Sequence, residues 1–127
     1  MQSAVASKGY QAANVGTVDR LRIVIMCYEG CIANASMAID EIKKGNVAEK
    51  GVYLSKATAI VSELMNCLDK EQGGEVAERL EALYFFVLNA FSKANLKNDP
   101  THIEGALQVL KELKEGWVAV SKKGVTV

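Results

Sequence analysis

The chain has 127 residues, half of them apolar and 24% charged, and its fifteen Lys and Arg balance fifteen Asp and Glu to a net charge of zero. This composition describes one folded domain rather than a disordered chain, and without a basic excess phosphate-driven binding of nucleic acid is not expected. No uninterrupted apolar run approaches the roughly 20 residues of a membrane span, no basic-then-apolar leader opens the chain, and three cysteines without a leader point to a reducing, cytoplasmic setting with free thiols.

Residues 1–16 are small and polar, broken by Gly9 and Gly16, with Tyr10 as the one aromatic. They read as a loosely held N-terminal arm that docks through Tyr10. Thr17 suits an N-cap and Asp19 suits the positive first turn, so a first helix is predicted over about 18–44, stopped by Gly45. Asn46 with Glu49 imitates a capping box and opens a second helix over about 47–69. Gln72-Gly73-Gly74 breaks the pattern, and Glu75 begins a third helix over about 75–98. Asp99 as N-cap and Pro100 at the first helical position start a fourth over about 100–120, leaving 121–127 as a tail.

Each segment carries apolar residues at three-and-four spacing. The stripes are Leu21, Val24, Tyr28, Cys31, Ala35, Ala38 and Ile42; then Val47, Leu54, Ala57, Val61, Leu64 and Leu68; then Val76, Leu80, Leu83, Val87, Ala90 and Ala94; and last Ile103, Ala106, Leu110, Leu113 and Trp117. No alternating strand pattern competes over a useful length. Short connections make neighbouring helices antiparallel, so the expected fold is all-α, an antiparallel up-down four-helix bundle over 17–120.

Catalytic chemistry finds little support. A di-metal carboxylate bundle needs Glu-x-x-His pairs, yet His102 is the only histidine and no glutamate stands three before it. No phosphate loop, dinucleotide fingerprint or nucleophile elbow occurs. Catalysis needs a positioned base, so the protein is not expected to be an enzyme or to carry a cofactor. Cys27 and Cys31 flank the core face of helix one, and Cys67 flanks that of helix two. With Cys67 they would supply three zinc ligands and no evident fourth, so they read as small apolar fillers between helices.

Helix one also has a second apolar stripe opposite the first, made of Ile23, Met26, Gly30, Ala33 and Met37, with charges confined to narrow strips at Glu29, Asp40, Glu41, Lys43 and Lys44. Phe85, Phe86 and Leu96 of helix three point away from their own core line, and Val52 lies on the outer face of helix two. A helix apolar on two faces is central in its fold or covered by something else. Burial under the N-terminal arm, a groove for a partner segment and a homo-oligomer interface all fit this surplus. Gly30, lacking a side chain, leaves room for a partner or neighbouring helix to approach.

Against this background the chain resembles the FliS family of flagellar export chaperones from about Tyr10 to Trp117. The likeness rests on Tyr10, Leu21 and Tyr28-Glu29-Gly30; then Glu63-Leu64, Leu68-Asp69 and Gly73-Gly74-Glu75-Val76-Ala77; then Leu83-Tyr84, Ala94-Asn95, Asn98-Asp99, Leu110, Leu113 and Trp117. Thr17-Val18 stands where the family usually has Ser-Pro, and Cys27 stands where it usually has leucine. The resemblance implies a four-helix bundle that binds the disordered C-terminal region of flagellin in the cytoplasm. Binding there prevents premature polymerisation and keeps flagellin competent for secretion during bacterial flagellum assembly. It further implies that the cargo segment wraps around the bundle and becomes partly helical, and that the mobile N-terminal arm fills part of the groove when cargo is absent.

The residues expected to bind partner are therefore Tyr10 as the plug of the arm, with Ile23, Met26, Gly30, Met37, Phe85 and Phe86. Tyr28, Tyr84 and Trp117 shape the core beneath. The expected partners are the flagellin C-terminal segment and a co-chaperone or export component, with no nucleic acid and no membrane insertion. The competing readings are a helical adaptor for another protein, such as a co-chaperone or regulator, and a self-assembling bundle.

Overall fold

The computed structural model describes residues 17–122, with side-chain environments from Asp19 onward. Four helices follow one another: α1 (Thr17–Lys44), α2 (Val47–Asn66), α3 (Lys70–Lys97) and α4 (Pro100–Lys122). The protein is an all-α four-helix bundle. Each helix packs against its chain neighbours and α1 closes the ring on α4, while the diagonal pairs α1–α3 and α2–α4 make no close backbone approach.

The turns are made by local chemistry. At the end of α1, Gly45 adopts a left-handed φ of 79°. Its N–H donates to the Ile42 carbonyl at 3.0 Å, and the Asn46 N–H donates to the Glu41 carbonyl at 2.9 Å, closing a Schellman motif. The capping box expected at Asn46 does not form. Its side chain caps nothing in α2 and donates to Glu41 Oε1 at 2.7 Å instead, because the tight turn holds it against the previous helix.

Helix α2 ends at Asn66, three residues short of the expected boundary, and α3 begins at Lys70 rather than Glu75. Asp69 explains the early start, since its Oδ1 accepts from the N–H groups of Glu71 and Gln72 at 3.0 and 3.1 Å, a true N-cap. The glycine break is nonetheless real. Gly74 has φ 51° and ψ −128°, a non-helical joint inside the α3 span that glycine alone adopts at low cost. At α4, Asp99 Oδ1 accepts from the Thr101 N–H at 3.0 Å and its hydroxyl at 2.6 Å, which holds the Asp99 carboxyl below its ordinary range.

The core is one contiguous cluster drawn from all four helices. Tyr28, Cys31, Ala35, Ala57, Val61, Tyr84, Val87, Ile103, Ala106 and Leu110 are fully enclosed. The α3 core line runs through Tyr84 and Phe91 rather than Leu83, which is half-buried. In α2 the end of the stripe differs from expectation. Val47 is 58% exposed, whereas Lys50 is 2% exposed. Lys50 falls in helical phase with Leu54 and Ala57, and its ammonium reaches the end of α3. There it donates to the Asn95 carbonyl at 2.9 Å and to Asn98 Oδ1 at 2.5 Å. A buried cation at the negative end of a helix gains from the dipole and satisfies carbonyls that the helix leaves open. Glu41, expected in an exposed charged strip, is also buried, held by the same turn that Asn46 completes.

Candidate partner-binding surface

The sequence-predicted binding residues of α1 lie on the side opposite its core stripe. Ile23 is 51% exposed, Met26 60% and Met37 40%, with Ala33 exposed between them. Over Asp19–Lys44 this helix is long and apolar enough by composition to match a membrane span, and 28% of its most apolar window is buried. An uninterrupted-run criterion misses it because charges such as Glu29 punctuate the sequence. The physical origin is two apolar faces on one helix, only one of which the bundle covers.

Gly30 is half-buried on the flank of α1 that faces α2. A Cβ placed there would meet Ile60 Cδ1 at 3.5 Å, an ordinary contact, so the bundle itself does not require glycine at this position. The Gly30 carbonyl accepts from Asn34 Nδ2 at 2.8 Å.

On α3, Phe85 and Phe86 are 51% and 49% exposed, and Leu96 is 82% exposed near the helix end. Successive residues on a helix point about 100° apart, so the two phenylalanines diverge. Phe85 turns to the α2 side and Phe86 to the α4 side. Because α1 and α3 are diagonal, the α1 stripe and the α3 pair occupy opposite corners of the bundle. They form two separate patches. Tyr10 lies outside the described residues.

Two clefts run along the seams between these corners. The α1–α4 cleft holds about 600 Å³ over Ile32, Val118 and Ala119, with Lys111, Lys114 and Lys122 at its rim. Lys114 also pairs with Glu29 across the seam at 3.5 Å. The α2–α3 cleft is smaller, about 310 Å³, floored by Leu54, Leu88 and Phe91 and edged by Ser55, Thr58, Ala59, Ser92 and Asn95. Small uncharged side chains on both walls let a third chain segment lie close to the core. Sequence periodicity did not identify these clefts, since they depend on which helices are neighbours.

The cysteines sit along the α1–α2 seam. Cys31 is fully enclosed and its thiol donates to the Ala57 carbonyl at 3.6 Å. Burial, with the Cys27 thiol adding to it, pushes its pKa up to about 12. Cys27 is half-buried and Cys67 exposed. The Cys27 thiol is raised by burial and then by Cys67 and Glu63. A thiol held protonated is a poor nucleophile and metal ligand, and among the described residues no three His, Cys, Asp or Glu side chains are grouped to hold a metal.

The sequence matches the family model described as flagellar protein FliS over residues 1–124. It is 35% identical over 96 residues to the flagellar secretion chaperone FliS of Vibrio cholerae, covering 76% of this chain and 71% of the relative. It is 33% identical to the Campylobacter jejuni protein of the same name over 117 residues, 92% of this chain and 91% of the relative. To the flagellar secretion chaperone FliSB of Pseudomonas aeruginosa it is 30% identical over 125 residues, 95% of this chain and 99% of that protein.

Proposed function

The chain belongs to the FliS family of flagellar secretion chaperones, and on that footing we propose that it binds the disordered C-terminal region of flagellin in the cytoplasm, prevents its premature polymerisation and keeps it competent for secretion. Its action is binding alone, without catalysis. The observation that carries this reading is the placement of exposed apolar residues at opposite corners, Ile23, Met26 and Met37 on α1 and Phe85 and Phe86 on α3, with open clefts on two of the intervening seams. A compact partner would touch one corner. A disordered segment that wraps the bundle can reach both and fold as it binds.

The surface chemistry supports the same reading. Met and Phe side chains adapt to varied apolar partners, and the zero net charge favours contacts made by burial over electrostatic capture. Calorimetric titration with a flagellin C-terminal peptide tests the proposal. Saturable binding with a negative heat-capacity change is expected. Absence of heat and of any mobility shift at high peptide concentration would overturn it.

A further inference from the structure

Cys27 of α1 and Cys67 at the end of α2 share one seam of the bundle, and the binding surface described above uses neither. Their register follows from two contacts. The Cys31 thiol reaches the Ala57 carbonyl at 3.6 Å, and a Cβ at Gly30 would meet Ile60 Cδ1 at 3.5 Å. The two helices run antiparallel, so a further turn sets Cys27 opposite Glu63 and Leu64, with Cys67 next along that line of α2. Each Cα–Cβ bond tilts toward the N-terminus of its own helix. In an antiparallel pair the Cys27 side chain therefore leans toward the level of Cys67, and Cys67 leans back toward that of Cys27. Glu63 lies between these levels, its Oε1 accepting from the Cys67 thiol at 3.9 Å. The Cys27 thiol feels both groups, since Cys67 and Glu63 add to the upward shift that burial begins.

We propose that Cys27 and Cys67 form a dithiol site that hydroperoxides oxidise to a reversible disulfide, pinning the end of α2 to α1. Exposure divides the roles. Cys67 is exposed and Cys27 half-buried, which sets an attacking cysteine beside a resolving one. Cys67 also lines an open cleft of about 830 Å³ at the α2–α3 turn, which gives a small oxidant access. In the first step Cys67 passes its proton to Glu63, and the thiolate attacks the terminal peroxide oxygen. The O–O bond breaks, Cys67 becomes a sulfenic acid, and the proton held by Glu63 neutralises the departing alkoxide. In the second step the Cys27 sulfur attacks the sulfenic sulfur and the S–O bond breaks. The Cys27 proton leaves with the hydroxyl as water. Two thiols are oxidised and one hydroperoxide is reduced to an alcohol. Cys67 is the C-cap of α2, with no further turn of that helix beyond it, so its backbone can close to the Cα separation under about 7 Å that a disulfide needs. Cys31 is fully enclosed and takes no part. In a reducing setting such a bond is transient and responds to oxidant.

Treating the full chain with hydrogen peroxide and weighing it by mass spectrometry without reductant tests the proposal. The expected product has lost two hydrogens, carries no link between chains and returns to the parent mass with dithiothreitol. The crosslink should persist in Cys31→Ala and be absent from Cys27→Ser and Cys67→Ser. In Cys27→Ser, oxidation should instead stop at an oxyacid of Cys67, because the resolving thiol is gone. Closing the long loop between α1 and the end of α2 should raise the thermal midpoint by about 5–10 °C, and Cys67→Ser should show no such rise. A crosslink to Cys31, a covalent dimer through Cys67 or a parent chain whose oxidation stops at an oxyacid would each overturn the proposal. So would thiols left intact by excess peroxide, or a crosslinked chain whose midpoint does not rise.

Discussion

The hydroxyls of Tyr28 and Tyr84 meet at 2.6 Å in the centre of the bundle, joining α1 to α3 across a diagonal whose backbones make no close approach. Both residues are fully enclosed, and their rings lie tilted at 52° with centroids 6.4 Å apart. Apolar packing is tolerant of rotation and sliding, whereas a buried hydroxyl pair is satisfied in one geometry only. The pair therefore fixes how the two halves of the bundle are registered.

Removing one hydroxyl leaves the other with fewer partners in a fully enclosed site. Tyr84→Phe should destabilise the fold by about 1–2 kcal/mol, while Tyr28→Phe combined with Tyr84→Phe should cost less than the two single changes added together. Urea unfolding of the four proteins measures the coupling. Strict additivity would show that the hydroxyls act independently.

Lys50 anchors the start of α2 to the end of α3 through Asn95 and Asn98. Lys50→Met keeps the stem volume and removes the donors, leaving the Asn95 carbonyl and the Asn98 side chain without that partner. The expected loss is about 3 kcal/mol, from two hydrogen bonds to a buried charged group. A fall in the urea midpoint at unchanged slope is the check, and a midpoint within a few tenths molar of the parent would refute the anchoring role.

Alkaline pH should weaken the fold. Cys31 is raised from 9.0 to about 12, and burial first, then Tyr84, raises Tyr28 well above 10.0. The folded state keeps both protons to higher pH than the unfolded chain does. The stabilisation is therefore fully present below pH 9 and is lost progressively as pH climbs toward 12, at a slope of up to about 1.4 kcal/mol per pH unit per group. Cys31→Ser removes one titrating group, so thermal midpoints recorded from pH 8 to 11 should fall less steeply in that variant. An unchanged slope would assign the alkaline loss elsewhere.

Exposed apolar residues separate binding from stability. Phe85→Ser and Met26→Ser should each change folding stability by less than about 0.5 kcal/mol, yet both should weaken binding of a flagellin C-terminal peptide if the segment spans opposite corners. Calorimetry reads the affinity. Loss confined to one variant would place the cargo on one corner only.

Gly74→Ala should cost about 1–2 kcal/mol, because a Cβ is strained at φ 51° and ψ −128°. An added Cβ there meets nothing within 4 Å, so the effect isolates backbone strain from crowding. Equal denaturation midpoints for the variant and the parent would contradict the assigned conformation.

The all-helical fold and most of its core could be read from the chain. Three-and-four spacing of apolar residues reports which face of a helix turns inward, and this depends on helix geometry alone. Tyr28, Cys31, Leu54, Val61, Val87 and Leu110 therefore fall where their periodicity puts them. The same rule located the second apolar face of α1 before any neighbour was known. It failed at Lys50, a polar residue in phase with the core that a count of apolar positions passes over, and at Asn46, where a capping pattern competed with a tight turn.

What spacing within a helix cannot carry is the relation between helices. Only the packed bundle makes α1 and α3 diagonal, which splits Met26 and Phe85 between opposite corners and brings Tyr28 to Tyr84. It alone sets Lys50 against the end of α3 and opens clefts between particular neighbours. The sequence by itself determined four amphipathic helices, the turns at Gly45 and at Asp99-Pro100, and an apolar excess on the first. Tertiary structure decided where that excess lies on the molecule, because a helix specifies its own faces locally while its neighbours are chosen by the packing of the whole chain.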